Sequence, residues 1–326
     1  MAVLITGVAG FIGYYVAEAL LGRGETVVGI DNLNDYYEVS LKEARLVRLE
    51  GRPGFSFLRL DIADRDAVSA VFADEREIDR IVHLAAQAGV RYSLINPYAY
   101  LHSNIDGHVV LLEAARRLPR LLRFVYASSS SVYGGNRAMP FSVADRTDHP
   151  VSLYGATKKA MEVISESYAA MYGLPLTGLR LFTVYGPWGR PDMAYWSFTD
   201  AILEGRPIPV FGQGKLMRDF TYVDDIVAAL VRIVETPFAA KPGEAPHRVY
   251  NLGNSHPESV LDLIGHIERT TNRKAVLDFR DGPPGDVNET YADISRAARD
   301  FGFAPKVSLG EGISRFVDWF RRYHRR

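Results

Sequence analysis

The chain has 326 residues, 47% hydrophobic and 24% charged, enough to bury the core of one large or two unequal globular domains. Its formal net charge of −1 gives no electrostatic basis for binding nucleic acid or an anionic membrane, so an anionic ligand must be met by local arginines. It has no cysteine, which excludes disulfides and thiol chemistry and fits a cytoplasmic setting.

Residues 3–6 read as a short apolar strand. It runs into Thr6-Gly7-Val8-Ala9-Gly10-Phe11-Ile12-Gly13 and then an apolar-periodic helix. Gly7 suits a tight turn, Gly10 a close backbone approach to a pyrophosphate, and Gly13 close packing of helix on sheet. Taken alone, a GxxGxxG spacing is as often a structural turn. Context strengthens it. Residues 26–30 read as a second strand with Asp31 at its end, where an acid about 20 positions past the glycines binds ribose hydroxyls. Its charge repels a 2′-phosphate, which favours NAD over NADP, and Asn32 follows it. A third strand at 55–60 leads to Asp61 and Ile62, placed to meet an adenine. A fourth at 80–84 ends in Leu84, Ala85 and Ala86, small enough for backbone to close on a cofactor.

Residues 97–117 have a long helical pattern containing Asn104 and Gly107. A polar Asn in such a helix reads first as a solvated or locally bonded side chain, with bracing of an active site the lesser reading. Residues 122–127 form a fifth strand, followed by four serines at 128–131. The helix at 151–172 carries Tyr154 and Lys158, which at i and i+4 share one face. A sixth strand follows at 176–182. This alternation predicts an α/β fold with a doubly wound parallel sheet of Rossmann type.

Past residue 183 the rhythm breaks. A Gly- and Pro-rich loop covers 185–191. Strands at 208–211, 220–222 and 249–251 follow, with helices at 224–234, 259–271 and 295–301 and a loop at 280–286. Residues 1–183 are expected to hold the cofactor. Residues 184–326 are expected to form mainly a substrate lobe over the carboxyl ends of the strands, with some segments returning to the large domain. Asp224 and Asp225 read as caps of the helix they open. The histidines show no metal-ligand spacing, and no metal is assigned.

Thr6 to Gly13, Asp31, the serine cluster and Tyr154-x-x-x-Lys158 occur in the order found in the extended short-chain dehydrogenase/reductase family, which the chain resembles over nearly its whole length. More narrowly it looks like the nucleotide-sugar 4-epimerases, and among them the UDP-glucuronate 4-epimerases. That likeness rests on the stretches at 31–37, 87–93, 183–194, 218–225 and 284–287. It implies a tightly bound NAD and a UDP-sugar substrate. Tyr154 is then the base, Lys158 the residue that binds the nicotinamide ribose and lowers the Tyr pKa, and Ser129 the catalytic serine, with Ser130 and Ser131 beside it. Arg218 meets the UDP phosphates, Arg280 is a candidate second phosphate ligand, and Asp286 holds the uridine ribose. Thr183 stands where galactose-type epimerases commonly have Asn. In the glucuronate type that Thr and Arg190 meet the sugar carboxylate, with a surface ion-pair Arg the lesser reading of Arg190.

Free Tyr ionises near pH 10, so bringing it to ~7 needs roughly 4 kcal/mol of selective stabilisation of the phenolate. The cations of Lys158 and the nicotinamide ring are the sources the resemblance implies. Dehydratases and decarboxylases resembling this family carry an acid before Val-Tyr-Gly, whereas residues 129–131 here have no carboxylate. That disfavours dehydration and makes UDP-glucuronate decarboxylation the weaker alternative. UDP-glucose/UDP-galactose epimerisation and a non-catalytic NAD-binding sensor are the other readings. The resemblance also implies a homodimer, through the helices at 97–117 and 151–172.

Overall fold

The computed structural model describes residues 1–74, 77–239, 243–281 and 289–325. Asp286, with its neighbours in the stretch at 284–287, lies outside the described residues. The chain divides into two compact units. The first comprises Met1–Gly134, Arg146–Arg180 and Val227–Tyr250, and the second Gly135–Asp145, Leu181–Ile226 and Asn251–Arg326.

In the first unit, β1 (Ala2–Thr6) is buried along its whole length. It is followed by α1 (Phe11–Leu21), β2 (Thr26–Asp31), α2 (Val39–Leu49), β3 (Phe55–Arg59), α3 (Arg65–Asp74) and β4 (Ile78–His83). Then come α4 (Pro97–Tyr100), α5 (Gly107–Ala115), β5 (Arg123–Ser129), α6 (Leu153–Tyr172) and β6 (Leu176–Leu181). These strands and His247–Leu252 make a seven-stranded sheet, ordered His247–Leu252, β6, β5, β4, β1, β2, β3. β1 pairs in parallel with both β2 and β4, so the order reverses there. Ala2 and Leu4 enter the core shared with α3, α5 and α6, while Val3 and Ile5 are equally buried on the opposite face. Both faces of the sheet are covered, which is why its strands read as apolar runs rather than alternations. The expected doubly wound parallel fold is the one found.

Local chemistry accounts for several boundaries. The fifth strand runs two residues further than expected, so Ser128 and Ser129 are strand residues, and Ser130–Tyr133 is a 3-10 turn. α6 opens two residues late because the Ser152 side chain caps it, accepting from the Gly155 N–H. The long helix expected at 97–117 is interrupted by a π segment, Leu101–Asp106, between α4 and α5. Such wide turns are rare and cluster at functional sites, and this one contains Asn104.

In the second unit, β7 (Thr183–Tyr185), β9 (Met217–Tyr222), Pro257–Ser259 and Glu289–Thr290 form a small sheet, and β8 (Pro207–Phe211) pairs in parallel with Val276–Arg280. The capping expected of Asp224 and Asp225 needs correction. Both lie in the first turn of helix Val223–Glu235, yet Asp225 accepts from the Lys306 and Val307 N–H groups and Asp224 pairs with Arg315. Their side chains join the first turn of that helix to the C-terminal segment, both within the second unit.

Candidate active site

The glycine loop lies where the sheet order reverses, the place at which open α/β sheets bind ligands. Gly7 has φ +74°, and a Cβ on it would lie 2.7 Å from the Ala85 backbone N. A Cβ on Gly13 would lie 2.1 Å from the Gly7 carbonyl, so the close helix packing read from the sequence is strict. Phe11 and Ile12 follow Gly10, the N-cap of α1. Asp31 is nearly buried and ties the loop to β2. One of its oxygens accepts from the Ala9 N–H at 3.1 Å, the other from the Leu33 N–H at 2.9 Å. Burial pushes its carboxyl up, against those two bonds and the nearby cations of Lys42 and Arg45.

Lys42 and Arg45 were not singled out in the sequence. Arg45 is fully buried and donates to the Ala9 carbonyl and to the Tyr37 hydroxyl, both at 2.8 Å. Lys42 donates to the Asn34 carbonyl and side chain. The stretch at 31–37 is therefore folded onto α2 beside the glycine loop. Asn32 donates to Asp61 at 3.0 Å. Burial would raise the Asp61 carboxyl, but bonds from the Ala63 N–H, Asn32 and His102 outweigh it and hold it low. Ile62 is buried in the core behind it, and Leu84 continues β4 by donating its N–H to the Thr6 carbonyl. A glycine cradle that any Cβ would fill, next to a buried acid at the end of β2, suits an adenine dinucleotide.

Tyr154 and Lys158 lie in the first two turns of α6. The Lys158 amine is 2% exposed and donates to the Ala127 carbonyl at 2.8 Å, two residues before Ser129. Burial pushes its pKa down to about 7. Gly155 brings the serine turn up to α6, since a Cβ there would lie 2.6 Å from the Ser131 carbonyl. Ser129 accepts from the Ser131 N–H and donates to the Ser131 hydroxyl, each at 3.2 Å, and Ser130 begins the 3-10 turn. The Tyr154 ring stands edge-on to Tyr100, which neighbours Tyr92, which neighbours Tyr36. Two of the stretches that carried the narrower resemblance thus meet the aromatic surroundings of Tyr154.

Asn104 is fully buried and is not the solvated residue that spacing favoured. Its carbonyl accepts from the Gln87 N–H at 2.8 Å, and its amide donates to the Gln87 carbonyl at 3.0 Å and to the Thr157 hydroxyl at 3.1 Å. It fastens the loop after β4 to the turn between Tyr154 and Lys158. An Asn within an apolar helix was the only signal available in the sequence.

In the second unit, Thr183 pairs with Phe220, two residues from Arg218 on the adjacent strand. Arg218 donates to the Met217 carbonyl and lies opposite Glu258. Asp219 was also overlooked as a residue with its own role. It is buried and accepts from the N–H groups of Asn254, Ser255 and Ala292, which holds Arg218 between its neighbouring strands. Arg190 uses Nε and Nη2 to grip Asp192, at 3.1 and 3.0 Å. Arg280 is exposed and paired with Asp278.

The family model described as the NAD dependent epimerase/dehydratase family matches residues 3–253. The chain belongs to this family. It is 48% identical to UDP-glucuronate 4-epimerase 2 of Arabidopsis thaliana, over all of this chain and 77% of that protein. It also matches the crystal structure of UDP-glucuronic acid 4-epimerase from Bacillus cereus in complex with UDP-glucuronic acid and NAD, at TM-score 0.91 and 36% identity over 99% of this chain and all of that one. A UDP-glucose 4-epimerase from Thermotoga maritima, solved with UDP-glucose, matches at TM-score 0.88 and 32% identity over 99% of this chain and all of that one. The chain carries its glycine loop directly after β1, and Tyr154 and Lys158 on α6.

Proposed function

We propose that the chain is an isomerase that catalyses NAD-dependent 4-epimerisation of a UDP-sugar, converting UDP-glucuronate and UDP-galacturonate into each other. The observation that carries this is the site on α6: Tyr154 and buried Lys158 stand against a serine turn that has no carboxylate. The identity with UDP-glucuronate 4-epimerases supports the choice of sugar.

In this reading the first unit holds the cofactor. Gly7, Gly10, Phe11, Ile12 and Gly13 face the pyrophosphate; Asp31 and Asn32 take the adenosine ribose; Asp61 and Ile62 adjoin the adenine; Leu84, Ala85 and Ala86 flank the other half; Lys158 takes the nicotinamide ribose. Bound NAD supplies reversible oxidation of the sugar at C4. Tyr154 removes the 4-hydroxyl proton and later returns it, so no net proton is exchanged. Ser129 bonds the same oxygen as its charge changes, with Ser130 and Ser131 beside it. The second unit holds the nucleotide sugar. Arg218 and Arg280 take phosphate, Asp286 the uridine ribose, and Thr183 and Arg190 the sugar carboxylate. Arg suits this last role because its fork binds carboxylates in two-point fashion. One edge of the Arg190 fork is engaged by Asp192, which orients the guanidinium.

Incubation of the purified protein with UDP-glucuronate, followed by chromatography, tests the proposal. UDP-galacturonate is the expected product. Unchanged UDP-glucuronate with turnover of UDP-glucose would refute the choice of sugar, and a UDP-pentose as main product would establish decarboxylation instead.

The protein is further proposed to act as a cytoplasmic homodimer. Leu94, Ile95, Tyr98 and Leu101 are exposed on and before the helix of Asn104, as are Val163 and Met171 on α6. Among the described residues no helix is long and apolar enough to cross a membrane. The exposed apolar side chains on these two helices support a second copy as their cover. Sedimentation should give a dimer, and Val163→Glu a monomer; a wild-type monomer at micromolar concentration refutes it.

A further inference from the structure

Behind the serine turn lies a buried ion pair that the chemistry above does not use. Arg180 on β6 and Glu162 on α6 are 4% and 3% exposed, and they meet at two points, Nε to Oε1 at 2.8 Å and Nη2 to Oε2 at 2.9 Å. The Ser128 hydroxyl donates to the same Oε1 at 2.7 Å. Arg180 Nη1 donates to the Tyr133 hydroxyl at 3.0 Å, and its guanidinium lies 4.8 Å from the centroid of that ring. Ser128 of β5 and Tyr133 of the 3-10 turn thus close on an ion pair between α6 and β6, whose carboxylate Lys159 also reaches at 3.4 Å.

Their places in the chain are informative. Tyr154, Lys158 and Glu162 are i, i+4 and i+8 on α6, so they share a face along about 12 Å of helix at 1.5 Å per residue. Ser128 immediately precedes the three candidate substrate serines, and Tyr133 lies two residues beyond them. The segment holding Ser129, Ser130 and Ser131 is therefore pinned at one end to the Glu162 carboxylate, on the helix face that carries the base, and at the other to the guanidinium of its partner Arg180 on β6. A buried ion pair is weak evidence for stability, because apolar residues of similar volume commonly serve as well or better. A pair with partners on both sides of the serines does what apolar residues cannot: it fixes direction and register.

We infer that Glu162 and Arg180 are positioning residues, which through Ser128 and Tyr133 set where Ser129 stands relative to Tyr154 and Lys158. The inference rests on the proposed assignment of those three residues to the reaction. A displacement of about 1 Å at the reacting groups can cost ~100-fold in rate, so the pair acts on the chemical step rather than on binding.

The decisive comparison replaces both charges by apolar groups, Glu162→Leu with Arg180→Met, beside the single variants Ser128→Ala and Tyr133→Phe. Each is assayed with its bound NAD and with UDP-glucuronate, or with UDP-glucose if that is the sugar turned over. The double variant should keep its NAD, its melting temperature and its KM, while kcat falls ~10- to 100-fold. The single variants should lose severalfold in kcat with melting temperature and KM unchanged. Wild-type kcat in the folded double variant overturns the inference. If the double variant does not fold, wild-type kcat in both single variants overturns it. Tyr154→Phe, measured alongside, tests the underlying assignment separately: sustained turnover in that variant refutes the assignment of Tyr154, whatever the ion pair does.

Discussion

Lys158→Met should make the protein more stable and inactive at once. The Lys158 amine is buried on α6, and its pKa falls from 10.5 to about 7, with burial as the cause. That drop corresponds to about 5 kcal/mol at 1.36 kcal/mol per pH unit, an upper bound on the cost of holding the cation in the fold. The sign follows from proton binding. Between pH 7 and 10.5 the unfolded chain holds more protons at this residue than the folded one, so stability rises with pH across that window. The full stability is present above 10.5 and is lost as pH falls through about 7. A Met of similar length removes the charge and leaves the Ala127 carbonyl bond and the weak contact with the Met161 sulfur unmade, a loss of about 1 kcal/mol. The net gain at pH 7 should be a few kcal/mol in the NAD-depleted protein, with turnover abolished. Denaturant melts of both proteins at pH 7 and 9.5 measure this. The wild type should stabilise with pH at this residue's expense, and the variant should lack that part of the slope. A Lys158→Met protein less stable than wild type at pH 7, with the same pH slope, would refute the reasoning.

Four further outcomes are expected. Asn104→Ala removes three buried hydrogen bonds and should cost about 2–4 kcal/mol with a large fall in turnover, read from melts and initial rates. Gly155→Ala places a methyl 2.6 Å from the Ser131 carbonyl, so it should cost about 1–3 kcal/mol and lower kcat more than it raises KM. His108 is fully buried, and burial pushes its pKa from 6.5 down to about 3, with the Lys158 charge adding to the effect. The stability it contributes is present above pH 6.5 and lost as pH falls toward 3, so His108→Gln should flatten acid unfolding in that window. Arg190→Ala should lose turnover of the uronate or release CO2 from it; an unaltered rate and product profile would remove Arg190 from the carboxylate role.

The glycine loop, the acid at the end of β2 and the Tyr-Lys pair were legible in the sequence because each depends on local spacing. A glycine at positive φ, a Cβ-free approach and an i, i+4 pair are set within a few residues. The four serines show the limit of such reading. Nothing local distinguishes Ser128, whose hydroxyl is committed to Glu162, from Ser129, which caps the 3-10 turn. The distinction comes from where β5 ends and which helix face it meets. Asp224 and Asp225 mark the same boundary from the other side: a helix N-terminus explains their position, but Lys306, Val307 and Arg315, about 80 to 90 residues away in sequence, use their oxygens.

Sequence alone determined the parallel α/β sheet, its cofactor loop and the residues with the right chemistry for oxidising a hydroxyl. Those are properties of periodicity and of side-chain type, and they are written in neighbouring residues. The tertiary structure decided which of these groups are held and by what. Asn104 bridges the loop after β4 to α6, Arg45 and Lys42 set the 31–37 stretch beside the glycine loop, and Arg180 meets Glu162 across β6 and α6. Buried polar groups must find partners, and the partner is chosen by which strands and helices the fold brings side by side, a fact that no spacing along the chain encodes.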